Sequence, residues 1–175
     1  KNAVLQYIAI TDHTRSLAMT GGADEKKLER QMHDIERIDK KLSGITLLSG
    51  AEVNIMADGA LDIADATLAK LDCVGAAVHS NFKMSRSDMT RRIMRAMENP
   101  NIDILFHPTG RIINRRPPHE VDMDEIIKAA KRTGTILEID ASPERLDLKD
   151  EHIRTCVRAG VKMVIDSDAH SVHGF

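Results

Sequence analysis

His13, Glu52, His79, His107, Asp168 and His170 stand at the ends of short apolar runs, in the contexts YIAITDH, LLSGAE, AAVH, ILFH and VIDSDAH. Imidazole and carboxylate donors together suit zinc, manganese or iron, and a donor set without cysteine points to a hydrolytic centre rather than a structural one. A single histidine after an apolar run is most often a core residue with a satisfied ring. Six ligand-type residues at five such ends are poorly explained that way and point to a metal site. Their spacing is regular as well. Glu52 and His79 are 27 residues apart and His79 and His107 are 28 apart, close to the length of one strand-plus-helix unit. A further run, TILEID, brings Glu138 and Asp140 to its own end.

The elements that must carry these residues follow from periodicity. Short apolar runs alternate with stretches of helical period, the pattern of successive βα units and parallel strands. Strands are expected at 7–11, 45–52, 72–79, 102–107, 135–140 and 161–166, six in all. The first helix should be about 20 residues long, with Leu28, Met32, Ile35, Ile38 and Leu42 as its core stripe. Others are expected around Ile63–Leu71, at 85–97 with Ser85 or Ser87 as N-cap, at 122–134 closing on Gly134, and at 150–159 before Gly160. In parallel barrels and open α/β sheets the loops at the carboxyl ends of the strands face one cavity. The candidate ligands occupy those ends. The irregular stretch 108–121 exceeds usual loop lengths, and such loops tend to be functional.

Composition narrows the function. With 175 residues and 42% hydrophobic content the chain suits a single domain, 1–175. A net charge of −2 gives no global field for nucleic acid, and one Tyr, three Phe and no Trp leave no platform for stacked bases. Cys73 and Cys156 lie in apolar patterns outside any zinc spacing, as buried free thiols of a reducing cytoplasm would. No secretory leader or membrane-spanning run is present, so no membrane partner is expected. His33, His119 and His152 read as surface residues, as does His173, whose place just beyond SDAH offers the cavity as its lesser alternative. Arg86, Arg91, Arg92 and Arg95 read as a solvated helix face. The chain begins at Lys1, in what looks like the tail of a helix, KNAVLQ, which suggests a piece of a longer protein.

The blocks YIAITDHTRSL, GAEVNI, VHSNFKMSR, HPTGRIINRRPPHEVDM, LEIDASPERLDL and SDAHS resemble, in order, the polymerase and histidinol phosphatase (PHP) domain of bacterial and archaeal family X DNA polymerases. The resemblance implies an α/β fold, a distorted TIM-like barrel of seven βα units holding up to three zinc or manganese ions. About six parallel strands are visible here. The family's first motif, a His-x-His followed by an aspartate, has no counterpart; its strand would lie before Lys1, leaving an N-terminally truncated domain with one or two ions and an open seam suited to self-association. By position, Glu52 matches the metal-bridging glutamate, His79 and His107 the central pair, His13 the second motif, and Asp168 and His170 the last.

The implied activity is 3′–5′ exonuclease or 3′-end processing of DNA, with the polymerase domains N-terminal to this segment as partners. On that reading Glu52, His79, His107 and Asp168 are catalytic through the water their metals activate. Arg111, and more weakly Arg15, would contact a phosphate oxygen. Asp12 and Asp166 are open between orienting a liganding histidine and standing as exposed loop carboxylates, and Arg115 and Arg116 between a solvated loop and an interdomain contact. Asn54 and Asp140 stand where the family suggests Asp and Asn. The alternatives are a phosphomonoesterase of the histidinol-phosphatase type and a noncatalytic metal-binding module that braces the polymerase.

Overall fold

The computed structural model describes residues 5–17, 21–171 and 174; His173 and most of KNAVLQ lie outside that range, and Leu5 and Gln6 are not helical. Six strands alternate with five helices: β1 (Tyr7–His13), α1 (Glu25–Asp39), β2 (Thr46–Asn54), α2 (Asp65–Leu68), β3 (Cys73–Ala77), α3 (Arg86–Met97), β4 (Ile104–Leu105), α4 (Met123–Thr133), β5 (Ile136–Asp140), α5 (Asp150–Ala159) and β6 (Met163–Asp166). Every pairing is parallel, and the strand order in the sheet is the order in the chain. The sheet curls into a partial TIM-like barrel with the helices outside. β1 and β6 are its two edges. No helix among the described residues is long and apolar enough to cross a membrane.

The helices start and stop where local chemistry requires. Ser85 caps α3 by accepting from the Asp88 N–H at 3.2 Å, and Asp24 caps α1 through Lys27 N at 2.8 Å. Gly134 and Gly160 end α4 and α5 in left-handed conformations, φ 85° and 65°. Two expectations need correcting. α2 is a single turn, and α1 stops at Asp39 with only Leu28 and Ile35 buried, while Ile38 and Leu42 are exposed. α1 packs on β2 beside the edge strand β1, and no described element covers its outer flank.

Strand alternation divides the side chains between two faces. Ala51, Val53 and Ile55 of the β2 segment, Val74, Ala76 and Val78 of the β3 segment, Leu105 and Leu137 turn outward into one core with the helices. The inner face is apolar at its base, where Ala77, Ile104 and Phe106 pack with Cys73, Ile136 and Val164. Above them it becomes polar. Glu52, Asn54, Glu138 and Asp140 are all buried there.

Gly75 makes room for the inner apolar layer, because a Cβ on it would meet the Phe106 ring at 1.9 Å. Gly75→Ala is expected to destabilise the fold by about 1–3 kcal/mol through overpacking, read as a lower midpoint in urea unfolding. An unchanged midpoint would show that the ring moves aside freely.

Candidate metal centre

Parallel register sets the first pair of site residues. His13 lies opposite Glu52 at the ends of β1 and β2, on the same face. Glu52 is buried, and three rings close on its carboxylate: His107 Nε2 lies 2.9 Å and His79 Nε2 3.0 Å from Oε1, and His13 Nδ1 lies 3.1 Å from Oε2. Donor atoms of His13, Glu52 and His79 all lie within 4.8 Å of one another. His170 Nε2 reaches across the gap between the sheet edges to 3.4 Å from His13 Nε2, and its Nδ1 donates to the Asp168 carbonyl at 2.7 Å.

Two of these residues depart from strand geometry in order to reach the cavity. Phe106 faces the barrel interior, so His107 in regular alternation would face the helices. Its φ of 27° turns it inward instead; Asp168 has φ 46°. Non-glycine residues rarely adopt this region, and where they do the strain is commonly associated with functional sites. The bend after His107 is held by Asp147, which accepts from Thr109 N at 3.0 Å and from Thr109 Oγ1 at 2.9 Å.

The electrostatics favour a cation. Burial alone would raise the Glu52 pKa, but hydrogen bonds and charge from His107 and His79 hold it well below the ordinary range. Burial lowers His13, whereas His107, which burial also disfavours as a cation, is raised by Glu52. His107 therefore stabilises the metal-free fold below its ordinary pKa of 6.5 and Glu52 does so above its ordinary 4.5, so the pair contributes most between those values.

Counting protons shows what the arrangement lacks. A neutral His13 has one N–H but faces two acceptors, His170 Nε2 and Glu52 Oε2. A neutral His79 faces Asn54 Oδ1 at 2.8 Å as well as Glu52 Oε1. In each case a lone pair is left against another acceptor. Three imidazolium charges around one buried carboxylate would be costly, whereas a divalent ion resolves the same contacts. The His13–His170 separation of 3.4 Å agrees with the roughly 3.4 Å between two nitrogens on a tetrahedral zinc. His107 Nδ1 and Asp166 Oδ1 are buried without a hydrogen bond, which adds to the unmet demand.

A row of carboxyl groups flanks the centre. Glu138 accepts from the His107 backbone N–H and shares a hydrogen bond with Asp166; burial raises both. Burial, with Asp168 adding to it, pushes Asp140 up to about 6 despite the Ser142 N–H and Arg145. Arg145 Nε lies 3.2 Å from Asp140 Oδ2 and 3.4 Å from Asp168 Oδ2, and is the cation of this row. Sequence reasoning passed over Arg145, although its place in the ASPERLDL block just after β5 was available as a signal.

The other candidates fall elsewhere. Arg111 spends its guanidinium on the Arg145 and Leu146 carbonyls, and Arg15 on the Asp62 carbonyl and Glu25. Asp12 is exposed and accepts from Gln31, and Asp166 pairs with Glu138, so the ring partner found for His79 is Asn54. Arg115 pairs with Glu144, while Arg116 lies 4.2 Å over the Phe82 ring.

His119, expected on the surface, is buried: it stacks on Phe82, its Nε2 meets the Pro108 carbonyl at 3.1 Å, and burial lowers its pKa to about 4. The long loop folds back on itself and encloses it. Arg92 also departs from the expected solvated face. It is buried and bonded to carbonyls of Ile55, Met56 and Ser80, while Arg86, Arg91 and Arg95 remain exposed.

No family model matches the chain. It is 40% identical over 167 residues to the DNA polymerase/3′-5′ exonuclease PolX of Bacillus subtilis, covering 95% of this chain and 29% of that protein. Probable phosphatases of Thermoanaerobacter sp. and Caldicellulosiruptor bescii are each 31% identical, over 176 and 174 residues, which is 95% of this chain and 67% and 68% of theirs. Similarity along nearly its whole length to both kinds of protein, on a curled parallel sheet with histidines gathered at its carboxyl end, makes this chain a member of the PHP family, of the kind carried by family X DNA polymerases.

Proposed function

We propose that this chain is a metal-dependent phosphoesterase domain that hydrolyses DNA at 3′ ends. The observation that carries the reading is the convergence of three imidazoles on the single buried carboxylate of Glu52. Glu52, His79 and His107 would hold a central zinc or manganese ion, with His13, His170 and Asp168 serving a neighbouring one. When bound, such an ion supplies Lewis acidity, polarising a phosphoryl oxygen and making water a nucleophile at neutral pH.

The protein's own groups would do the rest. Glu52 neutralises positive charge at the centre, and the tight turn after His107 fixes that ring. Arg145, beside Asp140 and Asp168, is placed to balance the carboxylate row as an anionic substrate approaches. Arg111 would support the loop behind Arg145 through its carbonyls. The remainder of a polymerase chain would bring the DNA end, and the exposed apolar residues Tyr7 and Ile165 on the two sheet edges suit contact with another segment or a second copy.

A second reading, phosphomonoester hydrolysis, is favoured by the probable phosphatases, two of which this chain matches over about two-thirds of their length. The test is a metal-content measurement paired with two assays, shortening of a labelled DNA 3′ end and release of phosphate from small monoesters. Shortening supports the first reading, and phosphate release alone supports the second. Neither activity, with metal bound, would leave a noncatalytic module.

Zinc or manganese affinity should fall as the medium is acidified, because imidazole must be neutral to donate its lone pair. Glu52 raises the His107 pKa above 6.5, so proton competition at this ring alone should weaken binding by about 30-fold or more between pH 8 and pH 5. Titrations at the two pH values measure it. Equal affinity would contradict ligation by His107.

A further inference from the structure

We propose that Asp62 and Asn54 form a positioning relay that locks the His79 ring with Nδ1 protonated, so that Nε2 is the atom offered to a metal. The proposal rests on the metal-centre reading above. It assigns a role to a residue, Asp62, that touches none of the candidate ligands.

For a neutral His79 ring the chain of donors and acceptors has one solution. The Asp62 carboxylate accepts from Thr14 Oγ1 at 2.7 Å and Asn54 N at 3.0 Å through Oδ1, and from Asn54 Nδ2 at 2.8 Å and Ser16 N at 2.9 Å through Oδ2. A carboxylate with four donors around it is acceptor-only. The second Asn54 amide hydrogen goes to Thr14 Oγ1 at 2.9 Å. That leaves Asn54 Oδ1 to face His79 Nδ1 at 2.8 Å. An amide carbonyl cannot donate, so the ring must carry its proton on Nδ1. In the neutral ring the lone pair is then on Nε2, the atom 3.0 Å from Glu52 Oε1.

The two ends of an asparagine amide look alike, and Asp62 is what distinguishes them here. Turning the amide over would set Oδ1 where Nδ2 now lies, 2.8 Å from Asp62 Oδ2, acceptor against carboxylate. The turned NH2 would meet Nδ1 and drive the ring proton to Nε2, where it would block metal binding. Asn54 and Thr14 are both buried, so bulk water cannot substitute for the missing partner. The relay also runs from β2 to the segment after β1 through Thr14, tying the His79 orientation to the packing beside His13.

Asp62→Asn removes the discrimination. An amide at 62 can donate to Asn54 Oδ1, so Asn54 is free to turn and His79 to take the other tautomer. Zinc affinity should fall about 10- to 100-fold, the usual cost of losing a group that orients a ligand. Asn54→Asp, whose carboxylate can only accept, should keep the Nδ1–H ring, and its cost, two carboxylates meeting, should appear in the urea midpoint instead. The exchange Asn54→Asp with Asp62→Asn should recover part of the loss by restoring one amide facing one carboxylate, a rescue that general damage to the fold would not give.

The experiment is a ¹⁵N spectrum of the imidazole rings, with His79 assigned by comparison with His79→Gln, alongside zinc titration of each variant. The expected result is the Nδ1–H tautomer in the metal-free protein and its loss, together with affinity, in Asp62→Asn. Two outcomes would overturn the relay: an Nε2–H tautomer in the unsubstituted protein, or an Asp62→Asn protein with both tautomer and affinity unchanged. Should that variant fail to fold, the tautomer of the unsubstituted protein still decides. A protein with the Nδ1–H ring that takes up no zinc would instead remove the metal-centre reading and leave the relay standing.

Discussion

Replacing Glu52 by glutamine is expected to lower zinc affinity by more than about 100-fold, because losing only an outer partner of a ligand already costs 10- to 100-fold. Glu52 is the one carboxylate on which His13, His79 and His107 converge, and it is buried. Glutamine has nearly the same shape but no charge and only one acceptor oxygen. Its NH2 must face either His13 or the pair His79 and His107, and an amide nitrogen so placed offers a cation no lone pair. An ion entering the site would also lose its nearest compensating charge. Zinc titration and a DNA 3′-end assay with manganese measure the effect, and both should fall together. If the variant bound zinc as the unsubstituted protein does, the ion would have to lie elsewhere, and the row Glu138, Asp140, Asp166 and Asp168 would become the site to examine.

The candidate site was legible because its chemistry sits at a predictable place. Hydrophobic runs mark the strands, their ends mark the cavity, and His13, Glu52, His79 and His107 are the residues that stand there; all four do converge. What the pattern hid was how His107 gets there, since strict alternation points it outward and only a left-handed backbone turns it in. Contacts between residues far apart in sequence were also hidden. Asp12 and Asp166 were reasonable orienting groups by proximity in sequence, yet the partner of His79 is 25 positions away, at Asn54. A place in a long loop makes His119 read as a surface residue, but a long loop that closes on itself creates its own interior. The α1 stripe failed for the opposite reason. Periodicity says which residues share a helix face, not whether a neighbour covers it, and at the sheet edge Ile38 remains exposed.

Arg92→Met should destabilise the protein by about 3 kcal/mol, since hydrogen bonds to a charged group contribute roughly 1.5–3 kcal/mol each and the buried Ile55 carbonyl would lose its guanidinium donor. That is a large share of the roughly 5–15 kcal/mol that holds a domain folded. Four arginines on one helix look like a solvated face, but the third of them meets a specific demand. The chain leaves the sheet at these carboxyl ends while the Ile55 carbonyl is still buried and those of Met56 and Ser80 are partly covered, and these groups need donors. Arg92 supplies them through Nε to Met56 O at 2.8 Å, Nη1 to Ser80 O at 2.8 Å, and Nη2 to Ile55 O. Met56 and Ile55 directly follow Asn54, and Ser80 directly follows His79. The guanidinium therefore ties together the two chain segments that bring Glu52, Asn54 and His79 to the cavity. Methionine fills a similar volume without donors, so zinc affinity should fall along with the urea midpoint. Lysine keeps the charge but lacks the planar fork, and Arg92→Lys should lie between the two. If Arg92→Met unfolds at the same urea concentration as the unsubstituted protein, water must be reaching those carbonyls, and the rigidity of the strand ends must come from the sheet alone.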